Sequence, residues 1–291
     1  MHRTLMRVLL DMWHYHRLLW DLVKQDFAGR YAGSVLGVFW NIAQPAAQVF
    51  IFAVILAKII GSRLPAGVLE TVQADPFALS IYICAGLLPW IVLSETLARN
   101  ATTFLAHSNL IKKVAFPHPL LVLYQVFSGL GTLAIMLALF IVVILVTGHG
   151  VGWSMVWLPA LFAVQAVFTF GLGLMLATLT AHFRDVPQFV TIVLQLWFWM
   201  TPIVYFRQQL ETLFPFARLL VKANPLFHLT NLYQNILFLQ TVGYDTLPNT
   251  LVPVTDRFLL KFGVMGVLAV AVALAAVVFY DKLRAELPDQ I

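Results

Sequence analysis

Residues 114–183 contain no Asp, Glu, Lys or Arg, a charge-free run of seventy positions. Nothing else in the chain constrains its fold as strongly. A water-soluble domain carries about 25% charged residues, and a segment this long without one has no aqueous face to present. Shorter runs share the property, among them 31–57, 76–94, 186–206 and 262–280. Crossing the hydrocarbon core takes about 20 mostly apolar residues in a helix, and each run is close to that length or longer. Over all 291 residues, 61% are hydrophobic and 11% charged, and the mean hydropathy is +0.87. The pattern predicts an all-α polytopic membrane protein and excludes a soluble domain.

Six transmembrane helices are predicted, at about 33–60, 78–99, 119–147, 157–181, 187–206 and 258–280. His149, among Gly148, Gly150 and Gly152, breaks the longest run into two spans joined by a hairpin. Before the first span, Arg7, Asp11, His14, Arg17, Asp21 and Lys24 recur at three- and four-residue steps. Leu5, Leu9, Met12, Trp13, Trp20, Val23 and Phe27 take the opposite side. That division describes a helix lying in the membrane interface, so residues 1–30 are expected as an amphipathic interfacial helix and 31–291 as the transmembrane domain. The charge density of the first 27 residues excludes a cleavable signal. Residues 207–256 are mixed, with 223–244 uncharged yet rich in Asn, Gln and His. They are expected to be partly inserted or folded at the surface.

The formal charge of +5 reports topology in a chain of this class. With the amino terminus inside, the cytoplasmic pieces hold eleven of the 18 Lys and Arg residues, and five of them precede the first span. Both termini are therefore expected on the cytoplasmic side, with no nucleic-acid partner implied. Cys84 is the single cysteine and cannot form an internal disulfide.

Several chemistries lack their residues. There is no G-x-x-x-x-G-K-[ST] phosphate loop, no H-E-x-x-H and no C-x-x-C. The histidines are scattered, which disfavours a metal site. The predicted span centres hold no acidic residue, Glu95 being nearest, so ion coupling loses support. A membrane-embedded glycosyl- or acyltransferase would need acidic or His residues clustered at one membrane face, and none cluster. The chain is expected to be no enzyme, with no catalytic residue and no cofactor of its own.

The run from Gln25 to Pro45 is the most distinctive. Gly29, Gly33 and Gly37 repeat every four residues, spacing that lets a second backbone approach closely. Arg30-Tyr31-Ala32-Gly33-Ser34-Val35-Leu36-Gly37, followed by Trp40 and Pro45, resembles the start of the transmembrane subunit of type-2 ABC exporters, the permeases that move lipid-linked polysaccharides. Three further stretches resemble that family in order. They are Ser94-Glu95-Thr96-Leu97 with Asn109-Leu110-Ile111-Lys112-Lys113-Val114-Ala115-Phe116-Pro117, then Phe183-Arg184-Asp185-Val186 with Trp197-Phe198-Trp199-Met200-Thr201-Pro202-Ile203-Val204-Tyr205, then Asn224-Pro225-Leu226.

The resemblance implies a homodimer in the bacterial inner membrane with two copies of a cytoplasmic ABC ATPase that binds Mg-ATP. The implied cargo is undecaprenyl-diphosphate-linked polysaccharide, O-antigen before teichoic acid, capsule, or a small lipid or drug. It also implies a re-entrant external segment within 207–256, beginning at Asn224. The loop 100–118 would carry the coupling helix, with Asn109, Leu110, Ile111, Lys112, Lys113, Val114 and Phe116 meeting the ATPase; a solvated basic loop is the alternative.

At helical spacing, Gln188, Thr191, Gln195, Trp199, Pro202 and Phe206 share one sector of the fifth span, with Tyr205 at its outer end. Trp40, Gln44, Gln48 and Phe52 step by four along the first. Amides inside a bilayer must find partners, so these faces line a sugar path or serve as interhelical glue. Arg30 and, about two turns earlier, Lys24 suit the lipid diphosphate at the cytoplasmic mouth, or anchor headgroups. Asp185 and Pro187 are placed to cap and open the helix that follows.

Overall fold

The computed structural model describes residues 14–30, 33–56, 59, 77–113, 116–150, 152–205, 217–238 and 258–290, and these are helical apart from turns and bends. The first helix, α1, covers His16–Gly29; it buries Val23 and exposes Trp20. After a 3-10 turn at Gly37–Phe39, α2 runs Trp40–Phe50 and continues as π-helix over Ile51–Leu56. The long α3, Ala78–Ala106, is followed after His107 by the short α4, Ser108–Lys113. Then come α5, Pro119–Val146, and α6, Leu158–His182, the latter preceded by a 3-10 segment at Trp153–Trp157. The remaining helices are α7, Val186–Met200; α8, Ala217–Ala223; α9, Pro225–Leu237; α10, Phe258–Leu283; and α11, Leu287–Gln290.

Among the described residues four helical stretches are long and apolar enough to cross a membrane: Ala78–Ala106, Pro119–Val146, Trp153–His182 and Phe258–Leu283. The apolar stretches Trp40–Ile55 and Val186–Met200 are shorter. The fifth predicted span thus ends six residues early, where Thr201 leaves helical geometry and residues 201–205 bend. The second extends seven residues beyond the predicted end, carrying α3 almost to α4.

The centre of the bundle is α3, packed by α5, α6, α7 and α9. Its burial explains its weak amphipathicity, since a helix surrounded on all sides needs no polar face. Against α6 lies α10, and the approach is close enough that a Cβ on Gly171 would sit 2.7 Å from the backbone nitrogen of Ala273. The predicted glycine repeat does not act this way. Gly33 and Gly37 have φ of +87° and +45°, and among the described residues no packing neighbour lies within 4 Å of a Cβ built on Gly29, Gly33 or Gly37. Gly33 and Gly37 turn the chain between α1 and α2 by adopting left-handed conformations that a side chain disfavours.

Helix α9 lies within the mixed segment 207–256. Its residues Leu226, Phe227 and 229–237 are buried against α3, α6 and α10, so this part packs into the bundle. Thirteen residues at 1.5 Å each reach about 20 Å, short of the ~30 Å core. The remaining parts of the segment, 206–216 and 239–257, lie outside the described residues, as do 1–13. Asn224 explains why α9 starts where it does. Its Oδ1 accepts from the Leu226 amide at 3.0 Å and from Trp197 Nε1 at 2.8 Å, while Nδ2 donates to Thr201 Oγ1 at 2.9 Å. Asp185, by contrast, occupies the position before α7 in helical geometry and makes no side-chain cap; Pro187 does sit in the first turn.

A second apolar cluster forms at the α4 end of the bundle. Val23, Phe104, Ile111, Leu121, Val277 and Leu287 belong to it, so α1, α4 and α11 are tied to the ends of the long helices.

Candidate functional site

Where α1 meets the bundle, a single carboxylate gathers three elements. Asp26 accepts from Arg30 Nε at 3.0 Å, from an Arg99 guanidinium nitrogen on α3, and from the Ser128 hydroxyl on α5. Arg30 is committed through all three nitrogens, with Nη1 donating to Thr132 Oγ1 at 3.0 Å and Nη2 to Ser128 Oγ at 2.8 Å. Its guanidinium also lies over the Phe27 ring, 5.0 Å from the centroid. Burial pulls the Asp26 carboxyl up. The Ser128 hydroxyl and the charges of Arg99 and Arg30 outweigh that, and hold it below the ordinary value of 3.8.

This cluster floors a cavity of about 400 Å³ lined by Asp26, Arg30, Asn41, Gln44, Pro45, Gln48, Glu95, Arg99, Thr132 and Met136. Four elements contribute: α1 with its end residue Arg30, α2, α3 and α5. Asn41 is held by donating to the Phe27 carbonyl at 3.0 Å. A volume of this size is within the range of small-molecule sites. Its content is mixed, with two cations, two carboxylates, three amides and an apolar wall from Pro45 and Met136.

The predicted stripe on the first span divides. Gln44 and Gln48 line the cavity. Trp40 turns to the preceding loop, Nε1 donating to Ser34 Oγ at 3.0 Å. Phe52 packs on the hydrophobic core. For Phe52 the change to π-helix at Ile51 carries the reason, since a wider turn breaks a step of four. On α7, Gln188, Thr191, Gln195 and Trp199 are exposed on the outside of the chain together with Phe189, Ile192 and Leu196, and none lines the cavity. Pro202 is buried and Tyr205 half-buried, its hydroxyl donating to the Trp199 carbonyl; Phe206 is outside the described residues. Lys24 is separated from Arg30 as well. It points to the exposed Asp21, 3.8 Å away. The residues that sequence reasoning left out are Asp26, Arg99 and, as a lining group, Glu95. The signal available was the four-residue step from Asp26 to Arg30 and from Glu95 to Arg99.

Of the predicted coupling residues, Asn109, Lys112 and Lys113 are exposed on α4 and Leu110 is 37% exposed, whereas Ile111 is buried at 6%. Phe116 packs half-buried beside the same cluster, and Val114 is outside the described residues. Among the described residues no three His, Cys, Asp or Glu side chains converge to hold a metal.

Comparison with known proteins gives the family. Residues 17–238 match the family described as ABC-2 type transporter. The chain is 28% identical over 235 residues to the O-antigen export system permease protein RfbA of Myxococcus xanthus, covering 80% of this chain and 85% of that one. An RfbA of the same description from Klebsiella pneumoniae is 26% identical over 230 residues, covering 78% and 83%.

Proposed function

Because the chain belongs to the ABC-2 type transporter family, and so is a multi-pass membrane protein, we propose that it is the membrane-spanning subunit of an ATP-driven exporter of undecaprenyl-diphosphate-linked polysaccharide, of the O-antigen class. What carries this reading is the similarity to O-antigen export permeases over about four-fifths of the chain. The matched region includes every element around the cavity.

In this reading the two shorter apolar helices, α2 and α7, complete six spans, and both termini face the cytoplasm of the bacterial inner membrane. Two copies pair around a central path. The exposed face of α7, with its amides and Trp199, supports pairing or a sugar path, since unpartnered amides facing lipid are costly. Two ATPase subunits, which bind Mg-ATP, press on α4. The exposed Lys112 and Lys113 and the half-exposed Leu110 are suited to a docking face, and the buried Ile111 anchors it. The lipid diphosphate meets Arg30 and must compete there with Asp26, a competition that favours release as well as binding. The outward-end segment starting at Asn224 belongs to the re-entrant region.

Deleting the gene tests the reading. Lipid-linked polymer should accumulate in the cytoplasm and surface polysaccharide should vanish, both restored by the chain together with its ATPase. Normal surface polysaccharide in the deletion strain overturns it and favours a small lipid or drug as cargo.

A further inference from the structure

Glu95 is the one acidic residue of the cavity not taken up by the ionic cluster. It stands one turn before Arg99 on the same face of α3, is exposed into the cavity, and has no ion pair or hydrogen bond among the described residues. Asp26, by comparison, already satisfies both guanidiniums. The lining charges balance, two against two. Directly beside Glu95 an anion would meet its carboxylate, and a cation would meet Arg99 one turn away, so at this end of the cavity neither is the occupant the electrostatics select.

A neutral group rich in hydroxyls fits. A carboxylate accepts hydrogen bonds from two neighbouring hydroxyls, and charge-assisted bonds of this kind are the stronger ones. Gln44 and Gln48, one turn apart on α2, line the same cavity and add donors and acceptors. Pro45 and Met136 supply apolar surface for the C–H face of a ring. One turn of helix, about 5.4 Å, separates Glu95 along α3 from Arg99, so an anionic group at the cluster would leave the next part of the same molecule beside Glu95.

We infer that Glu95, with Gln44 and Gln48, forms a subsite for the first sugar ring of the cargo, next to the position of its diphosphate, and that Glu95 is a specificity-determining residue there. The inference rests on the reading of the chain as a lipid-linked polysaccharide permease.

The test uses the full complex with its ATPase in lipid nanodiscs, and reads the concentration giving half-maximal ATPase stimulation. Two probes are compared: polyprenyl diphosphate bearing one hexose, and bare polyprenyl diphosphate. Glu95→Gln should raise the value for the sugar-bearing lipid about tenfold, the loss of one charge-assisted bond, and leave the bare lipid unchanged. Gln48→Ala should give a smaller shift of the same selectivity. An equal shift with both probes, or none with either, overturns the subsite while leaving the functional reading standing. A wild-type complex that answers neither probe sinks the functional reading, and the subsite with it.

Discussion

Asp26 and Arg99, 73 positions apart, form an ion pair that joins α1 to the helix leading into α4. The same carboxylate binds Arg30, so two guanidiniums depend on one counter-charge. Elsewhere α1 packs mainly on α5, with Phe27 against Gly131 and Trp20 beside Phe127. The pair is therefore the polar tie between α1 and the stem of α4, seven residues before that stem ends at Ala106.

Asp26→Asn should leave Arg30 and Arg99 facing each other without compensation. The expected cost is about 2 kcal/mol, below the ~3–5 of a fully buried pair because both arginines keep some solvent. The pH dependence follows from the depressed carboxyl. Its stabilisation is complete above the ordinary value of 3.8 and is lost as pH falls through the lower folded value. Thermal unfolding in detergent from pH 7 down to pH 3 should show an acid limb in the wild type that is reduced in the variant.

Two glycines should respond in opposite directions. Gly171→Ala drives a methyl group into the backbone of α10 at Ala273, where nothing can swing aside. Destabilisation of about 3 kcal/mol is expected, the upper range of overpacking. Gly29→Ala has open space and a helical backbone, so it should be neutral or stabilise by up to about 1 kcal/mol. Melting temperatures of the two variants, measured side by side, decide this.

Tyr233 donates to Gln165 Oε1 at 2.7 Å, and both side chains are buried. Tyr233→Phe should cost about 1–3 kcal/mol by leaving a buried acceptor without its donor. The double variant Tyr233→Phe with Gln165→Leu should recover part of that loss, because the stranded group is gone as well. A double-mutant cycle by thermal unfolding measures the coupling.

Neighbouring residues on α4 should separate folding from partner binding. Leu110→Asp alters a side chain 37% exposed and should leave the melting temperature within about 1 kcal/mol equivalent of wild type. Co-purification of the ATPase should drop sharply. Ile111→Asp places a charge in the cluster with Phe104, Leu121 and Leu287 and should destabilise the chain itself. Full ATPase recovery with Leu110→Asp counts against α4 as the docking element.

How much of this was legible beforehand follows the range over which each feature is specified. The helices at 119–146, 158–182 and 258–283 were readable to within a few residues from uninterrupted apolar length, and the start of the one at 78–106 as well, though it runs on seven residues past Arg99. The glycine repeat misled, because spacing alone does not separate a packed helix from a turn of left-handed residues. On the α2 stripe Gln44 and Gln48 share the cavity, whereas Trp40, in the same regular helix, turns to Ser34 and Phe52 falls beyond the change to π-helix. The amides of α7 were rightly placed on one face, and that face proved to lie on the outside of the chain, away from Gln44 and Gln48.

What the order of residues determined by itself is the class of the protein and the course of its long helices, because the cost of burying charge in hydrocarbon acts on each segment independently. Only the tertiary structure decided that Asp26 would sit between Arg30 and Arg99, that α9 would be swallowed by the bundle, and that Glu95 would share one cavity with Gln44 and Gln48. Such pairings depend on which helices pack together and at what height, and those are settled by contacts between segments far apart in the chain.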